Sequence, residues 1–80
     1  MTVVRVETLV EPFRENQPGP HVQALIDAFT AAGLEPDMGP FATTAQGEVD
    51  AVATAVAAAI RAAFAQGATV LQLRVEGAGG

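Results

Sequence analysis

Twelve residues near the middle of the chain, Asp37-Met-Gly-Pro-Phe-Ala-Thr-Thr-Ala-Gln-Gly-Glu48, restrict its fold more than any other stretch. Gly39-Pro40 interrupts two short extended runs, residues 34–38 and 41–45, and a second break at Gly47 leads straight into a helical pattern. Proline has no N–H to give to a strand ladder, so a strand holding Pro40 lies at an edge or stops there. Gly39-Pro40 is therefore expected as a turn, a bulge or a kink. A helical pattern also precedes these runs, so a pair of strands must fit between two helices.

The flanking segments complete the order. Residues 2–10 alternate, with Val4, Val6, Thr8 and Val10 on one side and Val3, Arg5, Glu7 and Leu9 on the other. Such alternation marks a strand with one buried face. Residues 11–19 read as a loop closed by Pro18-Gly19-Pro20, and proline is well placed in a first helical turn, where its missing N–H would be unpaired anyway. A helix is expected over residues 20–32, with Val22, Leu25, Ile26 and Phe29 as its apolar stripe and Gly33 as its left-handed stop. His21 opens that helix as a solvated first-turn residue without metal-ligand company.

A second helix is expected over residues 48–66, with Val49, Val52, Val56, Ile60, Ala63 and Phe64 on its buried face. Glu48 and Asp50 sit at its positive end, as the helix dipole favours, and Gly67 stops it. Residues 69–76 form the last strand, with Thr69, Leu71, Leu73 and Val75 inward and Val70, Gln72, Arg74 and Glu76 outward. The order is βαββαβ, which predicts a ferredoxin-like α+β sandwich: a four-stranded antiparallel sheet with two helices on one face. In that arrangement the first and last strands are neighbours, so Arg5 and Glu7 are expected to face Glu76 and Arg74. Residues 1–76 read as a single domain and residues 77–80 as a flexible tail.

Composition narrows the function. Eighty residues with no cysteine have no disulfide and no thiolate metal site to reinforce a small core, so homo-oligomerisation, as a dimer or tetramer, is the expected reinforcement. The formal net charge is -5, and the basic residues Arg5, Arg14, Arg61 and Arg74 are scattered. Nucleic-acid binding needs clustered positive charge, so it is excluded as an expectation. No apolar run approaches the ~20 residues of a membrane span, and no basic-then-apolar leader opens the chain. A cytoplasmic location is expected, with no membrane, metal or cofactor. An enzyme is disfavoured by the inventory: no cysteine, no tyrosine, and one histidine without a partner in sequence.

Three segments together resemble a known family. Glu7-Thr-Leu-Val-Glu-Pro-Phe13, then Gly39-Pro-Phe-Ala-Thr-Thr-Ala-Gln-Gly-Glu48, then the long second helix are similar to the YkoF-like thiamine-binding domains. The likeness lies in the combination and covers nearly the whole chain. It departs at Ala42, where relatives commonly carry glycine. The resemblance implies non-catalytic binding of thiamine or its hydroxymethylpyrimidine moiety, in vitamin B1 uptake, salvage or sensing, by an oligomeric protein.

An aminopyrimidine requires an apolar or aromatic face and an acceptor for its amine, while a thiazolium cation favours negative potential or a π face. Glu7 is either half of a surface ion pair with Arg74 or that acceptor. Glu11 is either a solvated loop charge or part of a pocket mouth. Phe13 and Phe41 either pack on the core or stack against the ligand. Thr43 and Thr44 point to opposite faces of their strand, so one hydroxyl fills the core and the other is free for a ring nitrogen. Asp37 most simply shapes the turn. The alternative to a ligand-binding protein is a structural or regulatory homo-oligomerisation module paired through the open sheet face, where Val3, Leu9 and Val70 would meet.

Overall fold

The structure is a computed structural model that describes residues 2–12, 19–40 and 42–78. Its elements are β1 (Val3–Glu11), α1 (Pro20–Ala31), β2 (Asp37–Met38), β3 (Thr43–Glu48), α2 (Val49–Ala65) and β4 (Val70–Gly77). All neighbouring strands are antiparallel, in the order β2-β3-β1-β4, which is the ferredoxin-like arrangement expected from the sequence. The two strands richest in alternating residues, β1 and β4, are neighbours, with Arg5 opposite Glu76 and Glu7 opposite Arg74.

β1 alternates as predicted. Val4, Val6, Thr8 and Val10 are buried, and the residues between them are half-buried on the other face. Thr8 is a polar residue in the core, and its hydroxyl donates to the Thr43 carbonyl at 3.1 Å. That bond offsets the cost of burying the hydroxyl. Phe29 and Leu25 from α1 are fully buried against the sheet, each supplying about 1.5–3 kcal/mol of apolar burial.

Both helices end on the same motif. Gly33 (φ 87°) follows α1, and the Leu34 N–H donates to the Phe29 carbonyl at 3.1 Å. Gly67 (φ 102°) follows α2, and the Ala68 N–H donates to the Ala63 carbonyl at 3.0 Å. A bond of this span with glycine in the left-handed region is the Schellman termination. Each returns the chain towards the sheet and buries the residue after the glycine, Leu34 or Ala68.

The structure corrects five expectations. The buried stripe of α2 is Val52, Ala55, Ala59 and Ala63, while Val49, Ile60 and Phe64 stand exposed, the last two by 43% and 48%. Alanines let α2 lie close to α1, β1 and β3, and close approach selects the small residues over the larger apolar ones beside them. Leu73 and Val75 do share the helix side with Thr8 and Val6, but β4 is an edge strand and they stay 41% and 47% exposed. His21 is buried rather than solvated, with Nε2 2.6 Å from the Pro12 carbonyl oxygen. The strand expected over residues 34–38 shrinks to Asp37–Met38, because Pro36 interrupts the run before it. β4 reaches Gly77, and the Ala78 N–H still bonds the Val3 carbonyl. Phe13, Phe41 and the loop over residues 13–18 lie outside the described residues.

Candidate functional site

The helices cover one face of the sheet and leave the other open, so polar side chains of the strands gather on the open face. Pairing aligns them into rows. Asp37 of β2 faces Thr44 of β3, Thr44 faces Glu7 of β1, and Glu7 faces Arg74 of β4. One line across all four strands thus reads carboxylate, hydroxyl, carboxylate, guanidinium. The next row reads Gln46, Arg5, Glu76. Within and between these rows Arg5 contacts Glu7 at 3.7 Å and Glu76 at 3.6 Å, and Arg74 contacts Glu76 at 3.3 Å. All four side chains are well exposed, so these pairs hold orientation more than they hold the fold.

Two shallow depressions flank the long row. The larger, about 310 Å³, is lined by Glu7, Leu9, Ala42, Gln72 and Arg74, with Thr8 and Leu73 beneath. That volume sits at the lower end of the range for small-molecule sites. Its lining combines apolar Leu9 and Ala42 with a carboxylate, a carboxamide and a guanidinium. The smaller, about 180 Å³, is lined by Arg5, Glu35, Asp37, Thr44, Ala45 and Gln46. Glu7 and Thr44 are register partners, so the two depressions adjoin.

The sequence candidates divide as follows. Glu7 lines the larger depression and Thr44 the smaller. Thr43 is buried on the helix side, where its carbonyl takes the Thr8 bond. Glu11 closes β1, and its carbonyl accepts from the Thr69 amide at 2.8 Å and the Thr69 hydroxyl at 3.2 Å. Its side chain lines neither depression among those described. Asp37, assigned from sequence to the turn, instead pairs in β2 opposite Thr44, while the turn is closed by the Gly39 N–H donating to the Ala42 carbonyl at 2.8 Å. Gln72 and Arg74 were legible as outward residues of the last strand. The facing of Glu7 and Arg74 follows from the expected neighbouring of the first and last strands, whereas the partnership of Gln72 with Leu9 depends on the exact register. Among the described residues no group of three or more His, Asp or Glu side chains is placed to hold a metal, and no helix is long and apolar enough to cross a membrane.

Comparison with known proteins covers nearly the whole chain. Residues 6–76 match the family model described as thiamine-binding protein. A solved hypothetical protein of Methanocaldococcus jannascii aligns with a TM-score of 0.70 and 19% identity, over 95% of this chain and 80% of that one. A domain of unknown function from Bacillus cereus aligns with a TM-score of 0.67 and 22% identity, over 94% and 73%. These two likenesses speak to the fold. A Thermotoga maritima protein, assigned by name to thiamine biosynthesis or salvage, aligns with a TM-score of 0.59 and 25% identity, over 92% and 82%. No curated protein matches the chain.

Proposed function

Because this chain belongs to the thiamine-binding protein family, we propose that it binds thiamine or its hydroxymethylpyrimidine moiety without transforming it, as a cytoplasmic homo-oligomer serving vitamin B1 uptake, salvage or sensing. The observation that carries the reading is the larger open-face depression. It sets the Glu7 carboxylate beside an apolar wall of Leu9 and Ala42, the combination an aminopyrimidine needs. In this reading Glu7 accepts from the exocyclic amine. Gln72 and the Thr44 hydroxyl supply further hydrogen bonds to the ring, and Thr43 stays in the core. Phe41 precedes Ala42 directly, and Phe13 follows the end of β1 by two residues, so both are the aromatic candidates for stacking.

Negative charge supports a cationic ligand. Asp37, Glu7 and Glu76 outnumber Arg5 and Arg74 in the two central rows, and the whole chain carries -5. A thiazolium gains from that potential, and a diphosphate loses.

Calorimetric titration with thiamine, hydroxymethylpyrimidine and thiamine diphosphate tests the reading. Saturable heat is expected for the first two and weaker binding for the third. A hydrogen bond to a charged group contributes about 1.5–3 kcal/mol. Glu7→Gln should therefore weaken binding about tenfold or more, whereas Asp27→Asn, on the exposed side of α1, should leave it unchanged. Equal and negligible effects of the two substitutions would remove Glu7 from the site. Silence with all three compounds would remove the ligand class.

A further inference from the structure

Four charged side chains of the open face form a square that is closed on all sides but one. Arg5 and Glu7 lie on β1, and their register partners on β4 are Glu76 and Arg74. Three sides are joined: Arg5 to Glu7 at 3.7 Å, Arg5 to Glu76 at 3.6 Å and Arg74 to Glu76 at 3.3 Å. Glu7 and Arg74 stand directly opposite each other, and such partners have Cβ atoms about 4.5–5.5 Å apart. Yet among the described residues no ion pair joins them. Opposite charges facing across strands attract, so the open side needs a cause, and Glu76 supplies it. Its carboxylate holds one arginine on each oxygen, Arg5 on Oε1 and Arg74 on Oε2. Arg74 is thereby drawn along its own strand and away from Glu7. The open side is also the one that bounds the larger depression, which Glu7 and Arg74 both line.

We propose that Arg74 is a specificity-determining residue of that depression: together with Glu7 it reads a hydrogen-bond donor beside an acceptor on the edge of a ring, and so selects aminopyrimidines over oxopyrimidines. The inference rests on the aminopyrimidine reading of the site given above and supplies the second half of the ring edge. A carboxylate only accepts and a guanidinium only donates. An aminopyrimidine carries its amine on the carbon next to an acceptor ring nitrogen. The amine donates to Glu7, and the ring nitrogen accepts from Arg74. An oxopyrimidine reverses both positions. Its carbonyl faces the carboxylate and its ring N–H faces the guanidinium, acceptor against acceptor and donor against donor.

The other polar groups at hand cannot make this distinction. The Gln72 carboxamide holds both a donor and an acceptor, and the Thr44 hydroxyl can act as either, so both turn to suit the ring they meet. Fixed polarity belongs to Glu7 and Arg74 alone. Glu76 is the positioning residue. It keeps Arg74 from collapsing onto Glu7, which would fill the gap, and it balances the guanidinium charge, so a cationic ligand is not repelled.

Matched ligand pairs test this on the natural chain, with no substitution needed. Thiamine is titrated against its oxo counterpart, in which a carbonyl replaces the amine, and hydroxymethylpyrimidine against its own. Reversing two polar contacts should weaken binding about 100-fold within each pair. Arg74→Met keeps the apolar stem and removes the donors. It should weaken thiamine about tenfold and shrink the ratio within each pair by a similar factor. Glu76→Gln releases Arg74 to pair with Glu7, so it should lower thiamine affinity as well. Added to Arg74→Met it should lower affinity no further, because Glu76 acts through Arg74. A Glu76 that served the fold alone would act equally in both backgrounds. Both side chains are well exposed, so both variants should melt as the natural chain does. Equal affinity for amino and oxo compounds overturns the proposal and leaves the thiamine reading standing, as does an unchanged ratio in Arg74→Met. Silence with every compound overturns both.

Discussion

The two faces of β1 do different work with alternate residues of one strand. On the helix side Val4, Val6, Thr8 and Val10 are buried, and the one polar group among them is hydrogen-bonded. On the open side Arg5, Glu7 and Leu9 are half-exposed, and their ion pairs sit at 3.6 Å or longer. Burial makes the helix side intolerant of change, since a lost contact there leaves a cavity. Exposure makes the open side tolerant in stability, so its residue types can follow ligand chemistry instead. The general lesson is that a two-layer sandwich separates the residues that hold it from the residues it offers.

The largest effect that would sharpen this contrast is expected from Phe29→Ala. Removing the largest fully buried side chain should cost about 3–5 kcal/mol. For a domain this small that is most of its stability, and scanning calorimetry should lose its cooperative transition. A fully folded, normally melting variant would mean that the helix side is not where stability resides.

Gly47→Ala comes next. A Cβ at Gly47 would lie 2.6 Å from Leu34 Cδ2, so the added methyl overpacks the helix side. A loss of about 1–3 kcal/mol is expected in denaturant titration. The effect should fall at the low end if the end of the Leu34 side chain swings aside.

Glu48→Ala tests an exception to the contrast. Glu48 shares the open side by register, yet its carboxylate accepts from the Asp50 amide at 2.9 Å and caps α2. Losing that cap should cost about 0.5–1 kcal/mol in the same titration. A null result would return Glu48 to the stability-neutral face.

Arg5→Gln should show the smallest change, under about 0.5 kcal/mol, and the stability of the natural chain should vary little between low and high salt at this site. A large loss would show that the open-face rows hold the sheet, and the division between the two faces would fail.

The sequence carried the element order and the faces of β1, and it placed Val52, Val56 and Ala63 of α2 correctly, but it misjudged the rest of that helix's stripe. Val49, Ile60 and Phe64 are more hydrophobic than Ala55 and Ala59, so a reading by hydrophobicity places the larger residues inward. Packing against α1 and the sheet favours the face that allows the closest approach, and that is the alanine face. His21 was misread for a related reason: its partner, the Pro12 carbonyl, is nine residues away across a loop that no local pattern describes. Of the candidate site, the outward parity of Glu7 and of Gln72 and Arg74 was legible. That these residues share one depression with Leu9 and Ala42 was not.

Local determinants therefore account for what each segment is. The period-two run makes β1, glycines past the last helical turn end both helices, and Pro36 with Gly39-Pro40 keeps β2 short, because these effects act between residues two to five apart in the chain. Only the tertiary structure decided the extension of the Glu7–Arg74 row to Thr44 and Asp37, the inward face of α2 and the exposed flank of β4. Those depend on which register and which approach distance bury the most apolar surface over the whole molecule, a quantity that no single segment contains.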